Sequence, residues 1–81
     1  DPTDKLTIEY KNIRGNRELK EGEEILITVY NISSIATIIK KRGNEITVKL
    51  QKPVIAREGD KVVILAKSGS RWSLYGVGNI K

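Results

Sequence analysis

Six short runs of the sequence alternate between apolar and polar residues, and turn-forming residues separate them. In the first run the apolar side chains Leu6, Ile8 and Tyr10 occupy every second position, which is the period of a β-strand with one buried face. No segment shows a convincing helical period, and the charged stretch 18–24 contains Gly22, which favours a loop. The runs therefore predict six strands, at residues 6–10, 24–30, 35–41, 46–50, 61–67 and 71–80.

The choice of apolar residues supports strands throughout the chain. It has 12 Ile and 6 Val but only 6 Leu and 3 Ala, and branching at Cβ restricts a side chain in a helix while packing well on a pleated sheet. Gly76 and Gly78 allow a bend or bulge in the last strand. The inward positions of the alternation predict a core made of Ile8, Ile25, Ile27, Val29, Ile46, Val48, Val62, Ile64 and Leu74.

The two halves of the chain resemble each other. Residues 5–10 parallel residues 45–50, and residues 21–27 parallel residues 58–64, so that strand, loop, Glu-Gly turn and strand recur in the same order. Such self-similarity predicts two pseudo-symmetric β-β-β units. The fold class is therefore all-β, a small closed antiparallel β-barrel, because closure removes the exposed edges of an open sheet. Chance similarity between hairpin patterns is the alternative, and the barrel prediction holds in either case.

The length and the apolar runs limit the kind of protein this can be. At 81 residues, one domain covering residues 1–81 is expected. The longest apolar stretches, 25–27 and 62–66, are far shorter than the roughly 18 residues that span a membrane, so no membrane association and a cytoplasmic location are expected. The first residue is Asp1 instead of methionine, which favours a fragment of a larger protein. As an isolated domain it is expected to be a monomer.

The residue types also exclude most catalytic chemistry. The chain has no cysteine and no histidine, which removes thiol nucleophiles and the commonest general base and metal ligand. Carboxylates cluster beside turn glycines, where solvated charge is expected. The sequence has no phosphate-binding G-x-x-x-x-G-K-[ST] motif, and too few residues follow Gly78 for a dinucleotide-binding helix. We therefore predict no catalytic, cofactor-binding or metal-binding residues, and no enzyme activity.

Charge is distributed unevenly along the sequence. Residues 1–24 hold five bases and seven acids, net −2, whereas residues 25–81 hold ten bases and three acids, net +7. A basic surface of this kind favours a polyanion, because cations that contact phosphate release condensed counterions. A solvated, ion-paired surface is the alternative. The densest cluster lies at a hairpin tip, and the predicted nucleic-acid-binding residues are Lys40, Lys41, Arg42, Lys49, Lys67 and Arg71.

Aromatic residues add little to the RNA hypothesis. Only Tyr10, Tyr30, Trp72 and Tyr75 are present, whereas proteins that bind single strands stack bases on several exposed rings. A lone tryptophan in a small domain is more often a core or interface residue. Trp72 is therefore interpreted as an interface anchor.

Three motifs resemble a known family. They are Lys52-Pro53-Val54, then Glu58-Gly59-Asp60-Lys61-Val62, then Gly69-Ser70-Arg71-Trp72 continuing through Leu74 to Gly76 and Gly78. In this order and spacing they resemble the C-terminal β-barrel, domain III, of the gamma subunit of archaeal and eukaryotic translation initiation factor 2. The resemblance covers about residues 21–81, and residues 1–20 match weakly. Departures from the family pattern occur at Ile55, Leu65-Ala66-Lys67, Ser73 and Val77.

The resemblance implies a role in the GTPase that delivers initiator methionyl-tRNA to the small ribosomal subunit. In that family the nucleotide site lies in another domain, so the resemblance implies that this barrel does not bind GTP. It also implies two kinds of partner, namely RNA (initiator tRNA or ribosomal RNA) held by electrostatics, and neighbouring domains of the same GTPase. Two alternatives stay open: an engineered or structural two-repeat barrel without a ligand, and a stand-alone basic RNA-binding barrel.

Overall fold

The computed structural model of the chain describes residues 3–12 and 18–81. Those residues form strands and the turns between them, and no helix occurs among them. The prediction of six strands is confirmed, and their bounds are β1 (Thr3–Asn12), β2 (Glu24–Val29), β3 (Ile32–Arg42), β4 (Glu45–Val54), β5 (Lys61–Ser68) and β6 (Arg71–Ile80).

The strands close into one ring in the order β1-β4-β3-β2-β5-β6. Every neighbouring pair is antiparallel, including the pair β1–β6 that closes the ring. The predicted closed antiparallel β-barrel is therefore confirmed. Since β-branched side chains alternate along each strand, one face of every strand points into the ring and forms the core.

The pairing has a two-fold pattern. Exchanging β1, β2 and β3 for β4, β5 and β6 leaves the order of the ring unchanged. The β1–β4 register is centred on the pair Thr7 and Thr47, and the β2–β5 register is centred on the pair Ile27 and Ile64. This is the arrangement that two similar β-β-β units require. That the halves are an internal repeat stays a prediction.

Eight of the nine predicted core residues are buried, and Leu74 is the exception. The register between β5 and β6 shifts between Ile64 and Leu65, which marks a bulge in β6. Tyr75 and Gly76 are consequently both buried, and the alternation before them is reversed. Leu74 thus faces outward and is half-buried, because an extra residue in a strand moves the side chains beyond it to the other face.

Three further side chains close one end of the core. Leu19, which precedes β2 in a charged segment, is only 1% exposed. The rings of Tyr10 and Tyr75 pack beside each other with centroids 6.0 Å apart and planes tilted by 50°. A chain segment predicted only as a charged loop therefore contributes an apolar plug to the barrel.

Candidate nucleic-acid interface

Two hairpin tips project from the same end of the barrel. β3 and β5 run in the same direction, so the turn after β3, at Gly43, and the turn after β5, at Gly69, both lie at this end. Both glycines have a positive φ, 60° and 64°, a conformation that a side chain disfavours. β2 separates the two hairpins on one side and β1 separates them on the other. The cations of the two tips therefore lie at one end but on opposite sides of the ring.

A bulge precedes the three cations at the end of β3 and sets which of them face outward. The β3–β4 register shifts between Ile38 and Lys40, so Ile39 is an extra, exposed residue. Beyond the bulge Lys40 pairs with Thr47 on the outer face, whereas Lys41 pairs with the buried Ile46. Adjacent cations in the sequence therefore point in different directions.

Lys41 is the least exposed of these three cations. Only 19% of its side chain is exposed, and its Nζ lies 3.7 Å from Glu18 Oε2. The Lys41 amide N–H also donates a hydrogen bond of 3.1 Å to Glu21 Oε2. Its charge is therefore partly compensated within the protein. Arg42, the third cation of the tip, is exposed and pairs with Glu45 across the hairpin.

The acidic segment before β2 lies directly against the basic end of β3. The Gly22 N–H donates to the Ile38 carbonyl at 2.6 Å, and the Ile38 N–H donates to the Glu23 carbonyl at 2.9 Å. These two backbone bonds hold carboxylates of the segment beside the tip of the β3–β4 hairpin. The separation of acidic and basic halves in the sequence is thus not a separation in space.

The second hairpin carries two exposed cations. Lys67 lies near the end of β5 and Arg71 begins β6. Both side chains are exposed. Lys67 pairs with Trp72 across the hairpin. The fold therefore brings the second pair of predicted cations to the same barrel end as the first.

Lys49 lies apart from both tips, on the outer face of β4. It is exposed and pairs with Thr37 of β3 on one side and with Lys5 of β1 on the other. Lys5 belongs to the acidic part of the sequence, and the charge count gave no reason to select it. The similarity of residues 5–10 to residues 45–50 indicates two equivalent strands but does not set their register, and Lys5 meets Lys49 because the β1–β4 register is centred on Thr7 and Thr47.

Trp72 lies at the end of an apolar row on the outside of the barrel. It is half-buried and shares the outer face of β6 with Leu74. The exposed pair Val63 and Val77 lies on the same face. Apolar side chains with an aromatic anchor are typical of the centre of a protein interface. The row runs across four strands through the successive partners Ile35, Leu26, Leu65 and Leu74.

The tyrosines divide into two classes. Burial raises the pKa of both Tyr10 and Tyr75 above the usual tyrosine range, and their side chains are hydrogen-bonded to each other. Tyr30 is 74% exposed, and its hydroxyl donates to Asp60 Oδ1 at 2.9 Å, which raises the pKa of Tyr30. Tyr30 is at the barrel end opposite the two hairpin tips. The exposed tyrosine therefore lies away from the basic end.

Two classes of site are absent from the described part of the chain. Residues 3–12 and 18–81 contain no group of three or more carboxylates that could hold a metal ion. None of these residues forms a helix with the length and apolar character that crossing a membrane requires.

Residues 4–80 match the family model described as "Initiation factor eIF2 gamma, C terminal". The chain belongs to this family. The match extends further toward the N-terminus than the motifs of the second half, and it confirms the resemblance inferred from them. Membership identifies the chain as a domain of a translation initiation factor.

Curated relatives carry the same description. Translation initiation factor 2 subunit gamma of Haloquadratum walsbyi is 33% identical over 63 residues, which is 78% of this chain and 15% of the relative. The corresponding subunit of Methanococcus maripaludis strain C7 is 37% identical over 62 residues, 76% of this chain and 15% of the relative. The corresponding subunit of Methanocaldococcus jannaschii is 35% identical over 63 residues, which is 78% of this chain and 15% of the relative. The chain thus spans about 15% of the length of these relatives.

Proposed function

We propose that the chain is a non-catalytic barrel domain of the translation initiation GTPase that delivers initiator methionyl-tRNA to the small ribosomal subunit. Its contribution is an electrostatic RNA contact at the end of the barrel that carries the two hairpin tips. The observation that supports this proposal is that four exposed cations, Lys40, Arg42, Lys67 and Arg71, lie at that one end.

The mode of binding follows from the residue types. Lysine and arginine side chains contact phosphate groups, and such contacts position a nucleic acid without reading its sequence. Aromatic rings that could stack on bases are few at this end. Binding to initiator tRNA or ribosomal RNA is therefore expected to depend steeply on salt and weakly on sequence.

Fluorescence anisotropy with a labelled 12-base-pair RNA duplex tests this contact. We expect the double variants Lys40→Gln/Arg42→Gln and Lys67→Gln/Arg71→Gln each to weaken binding by about tenfold at low salt and to flatten the salt dependence. Lys52→Gln/Lys61→Gln removes the same charge from exposed residues at the opposite end of the barrel and is the matched control. Equal losses in all three variants, or none, contradict the proposal.

We further propose that the apolar row ending at Trp72 packs against a neighbouring domain of the same factor. Its support is the outward, half-buried position of Trp72 on the face of β6 that also carries Leu74 and the exposed Val77. Trp72→Ala in the full-length subunit is expected to increase protease cleavage between domains, while the isolated barrel loses little stability. Unchanged cleavage in the full-length protein contradicts this interface.

The barrel itself is proposed to bind no nucleotide, since its sequence lacks a phosphate-cradling loop and the residues that hold Mg²⁺ in GTPases. Calorimetric titration of the 81-residue chain with GTP and Mg²⁺ is expected to show no heat of binding. Micromolar affinity contradicts this. We also propose that the protein is cytoplasmic and that the isolated domain is a monomer. Sedimentation equilibrium measures its oligomeric state.

A further inference from the structure

Two pairs of like charges face each other across β1 and β4. On the outer face Lys5 is the direct partner of Lys49, and Glu9 is the direct partner of Glu45. Charges of the same sign at directly opposite positions of an antiparallel pair destabilise it. The two pairs lie on either side of the central pair of threonines.

The acidic pair has a counter-charge within the protein, and the basic pair has none among the described residues. Lys81 Nζ lies 2.5 Å from Glu45 Oε2, and this contact raises the pKa of Lys81. Neither Lys5 nor Lys49 forms an ion pair with a residue in 3–12 or 18–81. Both side chains are exposed. The Lys5–Lys49 pair is thus a site where an external anion relieves repulsion.

The surroundings of this pair favour a phosphate group. Lys40 lies on the same outer face, as the partner of Thr47. The hydroxyls of Thr7 and Thr47 lie next to the Lys5–Lys49 pair, between it and the acidic pair, and the one that accepts their mutual hydrogen bond can donate to a phosphate oxygen. Lysines and hydroxyls on a flat strand surface, near one of the cationic hairpin tips, are suited to the backbone of a nucleic acid.

We propose that Lys5 and Lys49 bind a phosphodiester group of RNA on the outer face of β1 and β4, with Lys40 contacting the adjoining part of the strand. The proposal rests on the RNA-binding function above and extends it, because it adds the side of the barrel to the hairpin tips. Asp4 and Lys49 line one shallow groove of about 500 Å³. The carboxylate of Asp4 repels an anion in this groove. Removing that negative charge is therefore expected to strengthen RNA binding, whereas removing the lysines weakens it.

The test measures binding of the 12-base-pair RNA duplex by anisotropy between 50 and 200 mM KCl, a range over which phosphate contacts change affinity strongly. Lys5→Gln/Lys49→Gln is expected to weaken binding about fivefold and to flatten the slope of log affinity against log salt by about one unit, near the 0.9 per contact of duplex DNA. Asp4→Asn is expected to tighten binding. Lys52→Gln/Lys61→Gln, equal in charge change, is the control.

Each outcome separates this inference from the proposed function. If the hairpin-tip variants lose RNA affinity but Lys5→Gln/Lys49→Gln binds RNA like the wild type, the inference is overturned and the proposed function stands. No RNA binding by the wild-type chain overturns both. Loss in Lys5→Gln/Lys49→Gln that exceeds the loss in the control supports the inference.

A second measurement distinguishes RNA from free phosphate. Backbone amide resonances of Lys5 and Lys49 are followed by NMR while inorganic phosphate replaces chloride at constant ionic strength. We expect RNA to shift these resonances at far lower concentration than inorganic phosphate does. Saturation by inorganic phosphate without a response to RNA makes this a site for the free ion and overturns the RNA assignment.

Discussion

Thr7 Oγ1 and Thr47 Oγ1 lie 3.3 Å apart across the β1–β4 pair, within hydrogen-bonding distance of each other. The two residues are direct partners at the centre of the β1–β4 register. Thr7 and Thr47 occupy equivalent positions in the two similar halves of the chain, so each threonine contacts its counterpart. Both side chains are half-buried.

This contact predicts non-additive stability in a double-mutant cycle. Thr7→Val or Thr47→Val alone leaves one half-buried hydroxyl without its partner and is expected to cost about 1 kcal/mol. The double variant removes both hydroxyls with little change in shape and is expected to be close to wild type. Urea denaturation of the four proteins measures the coupling. Additive single effects contradict the hydrogen bond.

Gly78→Ala is expected to destabilise the barrel by about 3 kcal/mol, the upper part of the range for overpacking. A Cβ at Gly78 lies 2.5 Å from the Glu9 carbonyl oxygen and 2.9 Å from Ile8 Cγ2, and neither strand can retreat within a closed ring. Gly59→Ala is the comparison, since nothing lies within 4 Å of its Cβ and its φ is +90°. Its cost is that of the backbone conformation, about 1 kcal/mol. Equal losses of Tm contradict the steric account.

Stability is expected to fall as pH rises above 10. Burial raises the pKa of Tyr10 and Tyr75 in the fold above the value of about 10 in the unfolded chain. The fold therefore favours the neutral phenols, and their contribution is complete below pH 10 and is lost as pH rises through the folded pKa values. Tyr75→Phe is expected to flatten this alkaline loss in urea denaturation relative to wild type, because it removes one of the two buried phenols. Parallel profiles contradict the assignment.

Lys41→Gln is expected to weaken RNA binding less than Arg42→Gln does, although the two residues are adjacent. Lys41 is mostly buried and lies beside Glu18, whereas Arg42 is exposed. Glu18→Gln removes the neighbouring carboxylate and is expected to tighten binding by about twofold, the size of a weak surface ion pair. Anisotropy at one fixed salt concentration ranks the variants. A larger loss of RNA affinity in Lys41→Gln than in Arg42→Gln contradicts this ranking by exposure.

The sequence predicted the strands and the closure of the barrel because alternation and turn residues act locally. β6 runs from Arg71 to Ile80, as predicted. The prediction of which side chains face inward was wrong where a bulge interrupts a strand. Leu74 was predicted to be buried and is not, and Lys41 was grouped with cations from which it points away. A bulge changes the face of every residue beyond it, and it depends on strand pairing more than on the composition of one strand.

Long-range contacts explain the other omissions. Leu19 has no strand pattern around it, and its burial depends on the end of the barrel that it closes. The acidic segment before β2 reaches the basic hairpin through backbone bonds to Ile38, which no charge count along the chain reveals. Lys5 lies opposite Lys49 because the β1–β4 register is centred on Thr7 and Thr47, and the similarity of the two halves does not determine that register.

The closed ring determines how other molecules can recognise this domain. Each of the six strands has a neighbouring strand on both sides, so the sheet has no edge strand for an incoming peptide to extend. Recognition falls instead to side chains that project from a fixed framework. Substitutions at such positions can change partners one residue at a time, because the main-chain ladder that maintains the fold takes no part in the contact.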